Sequence, residues 1–147
     1  MIDIHCHILP GIDDGAKSVE DSIQMAREAV SQGIKTIIAT PHYNSQYINE
    51  KPAIAAATAE LNETLLQQRI PLPILPGQEI RIYGELLEDY DSGKLSSLAD
   101  TSYIFIELPS GHVPRYTERV LFDVQMKGLT PIIVHPERNQ DIVQNPD

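Results

Sequence analysis

The chain has 147 residues, of which 41% are hydrophobic and 22% charged, a balance typical of one globular domain with a sizeable core. Its formal net charge of −10 argues against a protein that binds nucleic acid or an anionic membrane, because either would need a basic face. No apolar run reaches the ~20 residues of a membrane span, and a single cysteine excludes an internal disulfide. We therefore expect a cytoplasmic protein with no membrane insertion.

Strand-like and helix-like segments alternate along the first half of the chain. "MIDIHCH" predicts a first strand, and Ser18 with Asp21 predicts the capped start of a helix that Gly33 ends. The β-branched run "IKTIIAT" predicts a second strand, and a second helix is expected from about Pro52 to Arg69. The segment "PLPILPGQE" predicts a third strand, which its three prolines should keep short.

The second half continues this alternation. A short helix is expected at about Glu85 to Tyr90, and "SYIFIEL" predicts a fourth strand. A helix from Thr117 to Lys127 and a fifth strand, "TPIIVH", follow. Strands that alternate with helices indicate βαβ units, and therefore an α/β fold with a parallel sheet. Five strands suffice for an open sheet, whereas a barrel of seven or eight strands would need more chain.

Each predicted strand ends at a histidine or a glutamate. In chain order these residues are His5 and His7, His42, Glu79, Glu107 and His135. The carboxyl ends of parallel strands form the edge where α/β proteins bind ligands, so these side chains should meet there. Taken singly, each is more often an ordinary polar residue; taken together, they favour a metal site. Asp14 is either a further ligand or turn chemistry beside Asp13.

The residue types of this set bear on the metal. Mixed nitrogen and oxygen ligands suit manganese, iron or zinc. Structural zinc sites are usually built with cysteine thiolates, and the set contains none. The acidic balance of the chain also suits a protein that collects cations.

Cys6 lies between two of the candidate ligands, and strand geometry separates it from them. Side chains alternate between faces, so the flanking histidines point one way, while Cys6 points with Ile2 and Ile4 toward the covering helices. The usual cysteine phosphatase loop also needs an arginine six residues after the cysteine, where this chain has Ile12. We therefore interpret Cys6 as a small buried hydrophobe and not as a nucleophile.

Two loop residues after the fourth and fifth strands are further candidates. Arg138, in "HPER", could hold a phosphate oxygen through two parallel hydrogen bonds. Alternatively, Arg138 is a surface arginine paired with Glu137 or Asp141. His112, in "PSGHVPR", is a loop residue to which the sequence assigns no role.

Five motifs occur in this order along the chain: "DIHCHILPGIDDG", "TPHY", "GQE", "FIELP" and "VHPER". They resemble the polymerase and histidinol phosphatase (PHP) superfamily, and most closely its bacterial tyrosine-protein phosphatases, which oppose the kinases of capsule and exopolysaccharide synthesis. The resemblance implies a distorted (β/α)7 barrel, similar to a TIM barrel, that holds three metal ions. These are commonly Mn2+, with iron or zinc as alternatives.

The resemblance covers the whole chain and also implies its domain organisation. Residues 1–147 would be a PHP phosphatase domain without its C-terminal part, with about five βα units of the barrel. They would correspond to roughly the first three-fifths of such a protein. The family has a further Asp-x-His motif nearer its C-terminus, which nothing after His135 supplies.

The resemblance also implies which residues would hold the first two metal ions. His5, His7 and Glu79 would serve the first ion, and Glu79 would bridge to the second. Glu107 and His135 would complete the second site.

The resemblance also implies which residues would hold the third ion and which would contact the phosphate. Asp14 and His42 would hold the third ion. Arg138 matches the arginine with which the family contacts phosphate.

The implied function is a metal-dependent phosphatase that acts on phosphotyrosine of a bacterial tyrosine kinase and related proteins. The cations would activate a water molecule as hydroxide, so no covalent phosphoenzyme would be needed. The alternatives are a small-molecule phosphatase of the histidinol-phosphate type and an inactive fragment with incomplete metal sites. Open edges on the first and fifth strands would favour self-association of the chain.

Overall fold

The computed structural model describes residues 1–145, in which strands and helices alternate in the predicted order. The strands are β1 (Ile2–Cys6), β2 (Thr36–Ala39), β3 (His42–Tyr43), β4 (Ile74–Pro76), β5 (Glu79–Arg81), β6 (Tyr103–Glu107) and β7 (Thr130–Ile133). The helices are α1 (Val19–Ser31), α2 (Lys51–Gln67), α3 (Leu86–Asp91), α4 (Thr117–Met126) and α5 (Gln140–Gln144). Short 3-10 turns are formed by Leu98–Asp100 and Pro136–Arg138. None of the described helices combines the length and apolar character needed to cross a bilayer.

The strands form two parallel sheets, with the orders β1-β2-β4 and β3-β5-β6-β7. The prediction of an α/β fold with parallel strands is confirmed. The described residues form seven strands and not the predicted five, because two of the predicted strands are each divided in two. The predicted second strand is interrupted at Thr40 and Pro41, and the predicted third strand at Gly77 and Gln78. Each of these two strands therefore contributes to both sheets. Within residues 1–145 the sheets do not close into a barrel.

The two interruptions have a local physical cause. Pro41 has no N–H to donate to a ladder, and its carbonyl accepts instead from Glu79 N at 2.9 Å. Gly77 lies so close to β2 that a Cβ would come within 2.9 Å of Ala39 O and of Ile38 Cγ2. The chain can therefore cross from one sheet to the other only with a glycine at this point.

Gly77→Ala should destabilise the protein by ~1–3 kcal/mol, because the Ala39 carbonyl belongs to a packed strand and cannot move away freely. Gly111→Ala is the matched control, because a Cβ at Gly111 would meet nothing within 4 Å. Chemical denaturation would give the free energy of unfolding of both variants. Equal values for the two would contradict a limiting contact at Gly77.

Helices cover the two sheets separately. α1 and α2 pack on the first sheet through a cluster that includes Ala26, Ile54, Leu65, Ile37 and Ile74. α3 and α4 pack on the second sheet through a cluster that includes Leu86, Val120, Val124, Ile104 and Ile106. A third, smaller cluster contains residues of both sheets: Ile38, Leu98, Phe105 and Val134. Burial of these apolar surfaces is the main force that holds the helices on the strands.

Most helix predictions agree with the structure to within two residues. Ser18 caps α1 as predicted, since its hydroxyl accepts from Asp21 N at 3.2 Å. On α2, Leu66 is exposed and the polar Thr58 is buried. Thr58 satisfies its hydroxyl by donating to Ile54 O at 2.7 Å.

The alternation predicted for β1 is correct for Cys6 but wrong for its isoleucines. Cys6 packs against the cluster under α1 and α2. Ile2 and Ile4, expected on the same face, are 60% and 44% exposed, and Ile4 lines a cavity of about 340 Å3 with Ile38. The pairing of β1 with β2 shifts register between Asp3 and Cys6, which explains why Ile4 and Cys6 have different surroundings.

Candidate metal centre

The side chains predicted at the strand ends meet in one cavity of about 460 Å3. Seven predicted site residues line it: His5, His7, Asp14, His42, Glu79, His135 and Arg138. The eighth, Glu107, reaches the same cluster because its Oε2 lies 3.3 Å from His135 Nε2. The structure thus brings all eight residues together, and their individual roles remain predictions.

Glu79 is the centre of this cluster and is fully buried. Its Oε1 lies 2.7 Å from His135 Nε2 and 3.3 Å from His5 Nε2. Its Oε2 lies 3.1 Å from His7 Nε2 and 3.2 Å from His42 Nδ1. Imidazoles from both sheets therefore surround one buried carboxylate.

Several atoms of the cluster lack a hydrogen-bond partner among the described residues. They are His5 Nε2, His42 Nδ1 and Glu79 Oε2, all buried. Unpaired buried polar atoms cost free energy, so a ligand that satisfies them would be stabilised here. Two atoms that each ligate one ion at ~2.1 Å lie ~3–3.5 Å apart, and the contacts of 3.1–3.3 Å fall in this range. The donor set therefore fits a cation.

Three overlapping groups of side chains could each hold one ion, because their ligand atoms lie within 4.8 Å of one another. The groups are His5, His7 and Glu79; then His42, Glu79 and Glu107; then His7, Asp13, Asp14 and His42. Glu79 belongs to two of the groups, which suits a carboxylate that bridges two ions. The first group is the set that the sequence resemblance implies for the first ion.

Asp13 is a site residue that the sequence reasoning missed, because it was taken as part of a turn. Its side chain is 1% exposed, and its Oδ2 lies 2.9 Å from His7 Nδ1 and accepts from His42 N at 3.0 Å. Its Oδ1 accepts from Gly15 N at 2.9 Å. The signal was the doubled aspartate in "IDDG", since the turn itself needs only one such side chain.

The side chains of Asn49 and Gln78 form a hydrogen-bond network that holds the backbone of His42. Asn49 Nδ2 donates to the carbonyls of His42 and Ile12, at 2.8 and 3.0 Å. Gln78, fully buried, donates to Asn49 O at 2.7 Å and accepts from Ser96 N at 2.8 Å. This satisfied network fixes the loop after β1 against the start of β3, so the site does not depend on a mobile loop.

Arg81 is a second residue that the sequence did not single out. Its Nε and Nη2 both lie 3.0 Å from Glu107 Oε1, across paired strands β5 and β6. Oε1 of Glu107 is therefore engaged, while Oε2 faces His135. The available signal was the spacing, because Arg81 lies two residues after Glu79 on the same strand.

Backbone geometry is specialised at two of the histidines. A Cβ on Gly15 would collide with the carbonyl oxygen and the Cβ of His7, so only glycine lets this loop pack on the end of β1. His135 adopts φ 30° and ψ 58°, in the left-handed region that strains a non-glycine residue. Strain of this kind is held by the surrounding structure and is common at functional sites.

Charges around Glu79 and His7 stabilise each other when no cation is bound. Burial alone would raise the pKa of Glu79, but the neighbouring imidazoles of His5, His7 and His42 hold it well below its usual range. Burial alone would lower the pKa of His7, but the hydrogen bond to Asp13 and the nearby charges of Asp13 and Glu79 outweigh it and raise the pKa to about 10. Cation-free His7 is therefore an imidazolium at neutral pH.

The cation-free protein should lose stability as the pH rises from 6.5 to about 10, because the raised pKa of His7 stabilises the fold only while the ring is protonated. This contribution is complete below pH 6.5 and is lost through pH 10. Thermal unfolding in chelator across that range should show a midpoint that falls by several degrees. His112→Gln, which alters a histidine outside the cavity, is the control and should keep the fall; a constant midpoint in both proteins would contradict it.

Burial and the charges of Asp3 and Asp13 raise the pKa of the Cys6 thiol to about 12. The thiol therefore stays protonated at neutral pH, as the interpretation of Cys6 as an inert residue requires. Cys6 is therefore unsuited to nucleophilic attack.

Arg138 is exposed in the 3-10 turn after β7, and it lines the cavity. Within residues 1–145 it forms no ion pair with Glu137 or Asp141, which the alternative reading had expected. Its guanidinium is therefore available to a bound anion. His112 lies outside the cavity, and its carbonyl accepts from Asn139 Nδ2 at 2.8 Å.

A histidine and carboxylate cluster at the carboxyl ends of parallel strands defines an α/β protein with a candidate cation centre. The chain belongs to the family described as capsular polysaccharide synthesis, CpsB/CapC, whose model matches residues 1–147. The expected membership of a family of capsule synthesis is thereby confirmed.

Three relatives show how this chain compares with known members. It is 58% identical over 147 residues to the tyrosine-protein phosphatase YwqE of Bacillus subtilis (strain 168). It is 37% identical over 148 residues to a putative tyrosine-protein phosphatase CapC of Staphylococcus aureus, and 32% identical over 146 residues to the tyrosine-protein phosphatase CpsB of Streptococcus pneumoniae. These alignments cover 99–100% of this chain but only 58–60% of the relatives.

A solved structure supports the fold. It comes from work on YwqE of Bacillus subtilis and CpsB of Streptococcus pneumoniae, described as unique metal-dependent tyrosine phosphatases. Its chain matches with a TM-score of 0.96 at 58% identity, over 99% of this chain and 60% of that chain. The two parallel sheets and the helices that cover them therefore reproduce a known arrangement.

Proposed function

We propose that this protein is a metal-dependent tyrosine-protein phosphatase of capsule or exopolysaccharide synthesis. The observation that carries the proposal is the buried Glu79 among four imidazoles, with ligand atoms that lack protein partners. A cluster of this composition, beside an arginine with no ion pair in the described chain, suits hydrolysis of a phosphate ester. Membership of the CpsB/CapC family supports the same conclusion.

The cluster would contribute ligands to three cations, preferably Mn2+, in the assignment that the family resemblance suggests. His5, His7 and Glu79 would hold the first ion, and Glu79 would bridge to the second. Glu107 and His135 would complete the second site. The group of His5, His7 and Glu79 supports the first assignment. The second is supported by His135 Nε2, which lies 2.7 Å from Glu79 Oε1 and 3.3 Å from Glu107 Oε2.

Asp14 and His42 would hold the third ion. The contact of 3.3 Å between Asp14 Oδ1 and His42 Nε2 supports this pairing. Asp14 is 64% exposed, so this ion would lie nearest the mouth of the cavity and exchange most readily with solvent.

Bound cations would lower the pKa of a water molecule toward neutrality and withdraw charge from the phosphate. The chain's own residues would do the rest. Arg138 would orient the phosphate through parallel hydrogen bonds. Glu79 would keep its carboxylate in a fixed position toward the cations, because burial and four surrounding imidazoles restrict it. No covalent phosphoenzyme is needed, in keeping with the protonated thiol of Cys6.

We also propose that the two sheets belong to a distorted barrel of the PHP type, and that residues 1–147 are part of a PHP phosphatase domain. The predicted second strand is divided into β2 and β3, and the predicted third strand into β4 and β5. If each pair is counted as one strand, the order across the two sheets is consecutive, as it would be around a barrel. The candidate site at the carboxyl ends of the strands supports the same architecture.

The substrates would be phosphotyrosine proteins, with a bacterial tyrosine kinase of capsule synthesis as the main partner. The cavity opens to solvent and is lined by exposed Asp14 and Arg138. A side chain that projects from a protein surface could therefore reach the cations.

A substrate panel tests the proposal. The full chain with Mn2+ should hydrolyse a phosphotyrosine peptide faster than a phosphoserine peptide or histidinol phosphate, and a chelator should stop the reaction. Faster hydrolysis of histidinol phosphate would establish a small-molecule phosphatase instead. Bound metal without hydrolysis of any of the three would overturn the phosphatase assignment but not the metal centre.

A further inference from the structure

Two adjacent aspartates after β1 have different surroundings. Asp14 is 64% exposed, and its Oδ1 lies 3.3 Å from His42 Nε2. Asp13 is almost fully buried and contacts the ring of His7 and the backbone of both Gly15 and His42. The proposed ligand assignment uses Asp14, and it leaves the better-ordered carboxylate of Asp13 without a role.

The chemistry of the Asp13 carboxylate determines what His7 can do. An ionised carboxylate only accepts hydrogen bonds, so the ring atom 2.9 Å from Asp13 Oδ2, His7 Nδ1, must carry the proton. The lone pair of the neutral ring is then on Nε2, which lies 3.1 Å from Glu79 Oε2 inside the cluster. Outer carboxylates of this kind fix the tautomer and the orientation of metal-binding histidines.

The same carboxylate also joins the two sheets. His7 follows β1 of the first sheet, and His42 is the first residue of β3 in the second sheet. Asp13 Oδ2 contacts both, at 2.9 Å from the His7 ring and 3.0 Å from His42 N. One oxygen atom therefore sets the relative position of two candidate ligands from different sheets.

We propose that Asp13 is a positioning residue. It holds His7 with Nδ1 protonated and Nε2 directed to the cation, and it fixes the backbone of His42 by accepting a hydrogen bond from His42 N. This inference rests on the proposed metal centre. It assigns to the doubled aspartate two separate tasks, with Asp14 toward the cavity and Asp13 toward the protein.

The experiment is direct binding of Zn2+ to the full chain and to Asp13→Asn. An asparagine has nearly the same shape but only one acceptor oxygen, whereas Asp13 accepts from His42 N through Oδ2 and from Gly15 N through Oδ1. If the oxygen stays with Gly15 N, the amide NH2 faces His7 Nδ1 and favours the wrong tautomer. Zn2+ affinity should fall by ~10–100-fold while the circular dichroism spectrum stays close to that of the parent protein. Cation-free stability at neutral pH should fall, because the carboxylate charge that stabilises protonated His7 is lost. Asp89→Asn is the matched control, because Asp89 accepts from Tyr83 OH at 2.6 Å, outside the site; its Zn2+ affinity should not change.

Nitrogen-15 NMR of the parent protein with Zn2+ gives a second measurement that does not depend on how the variant folds. The His7 ring should show a protonated Nδ1 and a metal-bound Nε2. A protonated Nε2 on His7, or an unchanged Zn2+ affinity in folded Asp13→Asn, would overturn the role of Asp13. Failure of the parent protein to bind Zn2+ would instead contradict the proposed metal centre.

Discussion

His5→Ala should lower kcat/KM toward a phosphotyrosine peptide by at least ~100-fold, whereas Cys6→Ser should leave most of the activity. His5 Nε2 is a buried atom without a hydrogen-bond partner in the described chain, 3.3 Å from Glu79 Oε1, so its removal takes a ligand from the centre of the cluster. Cys6 instead packs under α1 and α2, and its pKa of about 12 keeps it a thiol. Steady-state kinetics with Mn2+ would measure both variants.

The comparison of His5 with Cys6 is sharp because the two are neighbours on β1 that both line the cavity, whereas only His5 contacts Glu79 and Cys6 packs against the cluster under α1 and α2. His42→Ala should behave as His5→Ala does, because His42 also contacts Glu79, at 3.2 Å. A chelator should inhibit the parent protein, and Mn2+ should restore it. Abolition of activity by Cys6→Ser, together with no effect of chelator, would contradict the cation mechanism and point to a thiol nucleophile.

Arg138→Lys should lower kcat/KM by about ten-fold or more, or ~1.4 kcal/mol or more, without loss of bound metal. A lysine keeps the charge but offers a point ammonium in place of a planar fork with parallel donors. The loss should therefore come from weaker orientation of the phosphate. Kinetics on a phosphotyrosine peptide and metal analysis of the purified variant would measure the two quantities separately.

The matched control for this substitution is Arg27→Lys on α1. Arg27 is also exposed, but it donates to Gln68 at 3.3 Å and does not line the cavity. Its kinetics should equal those of the parent protein. If Arg138→Lys were equally silent, Arg138 would be a surface charge and the phosphate would be held by the cations alone.

The sequence was sufficient to predict the cluster because the ends of strands can be located from the local sequence, and a parallel sheet then places those ends at one edge. Apolar runs such as "IKTIIAT" and "SYIFIEL" identify strands, and parallel strands connected by helices place their carboxyl ends at one edge. His42, Glu79, Glu107 and His135 follow from that rule without knowledge of any contact. Period-two alternation was equally sufficient to separate Cys6 from its neighbouring histidines.

The features that escaped prediction depend on partners distant in sequence. Arg81 becomes part of the site only because β5 pairs with β6 in the register that brings it to Glu107. The shift between Asp3 and Cys6, which exposes Ile4, is a property of pairing with β2 and not of β1 alone. Spacing places Arg81 on the same face as Glu79, but neither propensity nor spacing gives the register between strands, so the partner Glu107 and the shift in β1 could not be predicted.

Asp13 and Gly77 show a different limit, since each has an ordinary local explanation that conceals a tertiary one. Aspartate in a turn needs no further reason, yet Asp13 contacts both His7 and His42. Glycine after proline also suggests a turn, yet Gly77 is required by the approach of the Ala39 carbonyl. The tertiary role of a residue is most easily missed in the sequence when its local role is already sufficient to explain it.

The arrangement of imidazoles around Glu79 bears on the order of events during synthesis. His5, His7 and His42 leave the ribosome well before His135, which makes the shortest contact with Glu79, at 2.7 Å. Domains emerge from their amino-terminal side first, so a nascent chain can form the first sheet while the cluster is still incomplete. Capture of the second cation, which Glu107 and His135 would hold, should therefore wait until β7 has docked beside β6. Because Glu79 would serve both this ion and the one held by His5 and His7, the ions would link β1 to β7, and separation of either strand would have to release a cation.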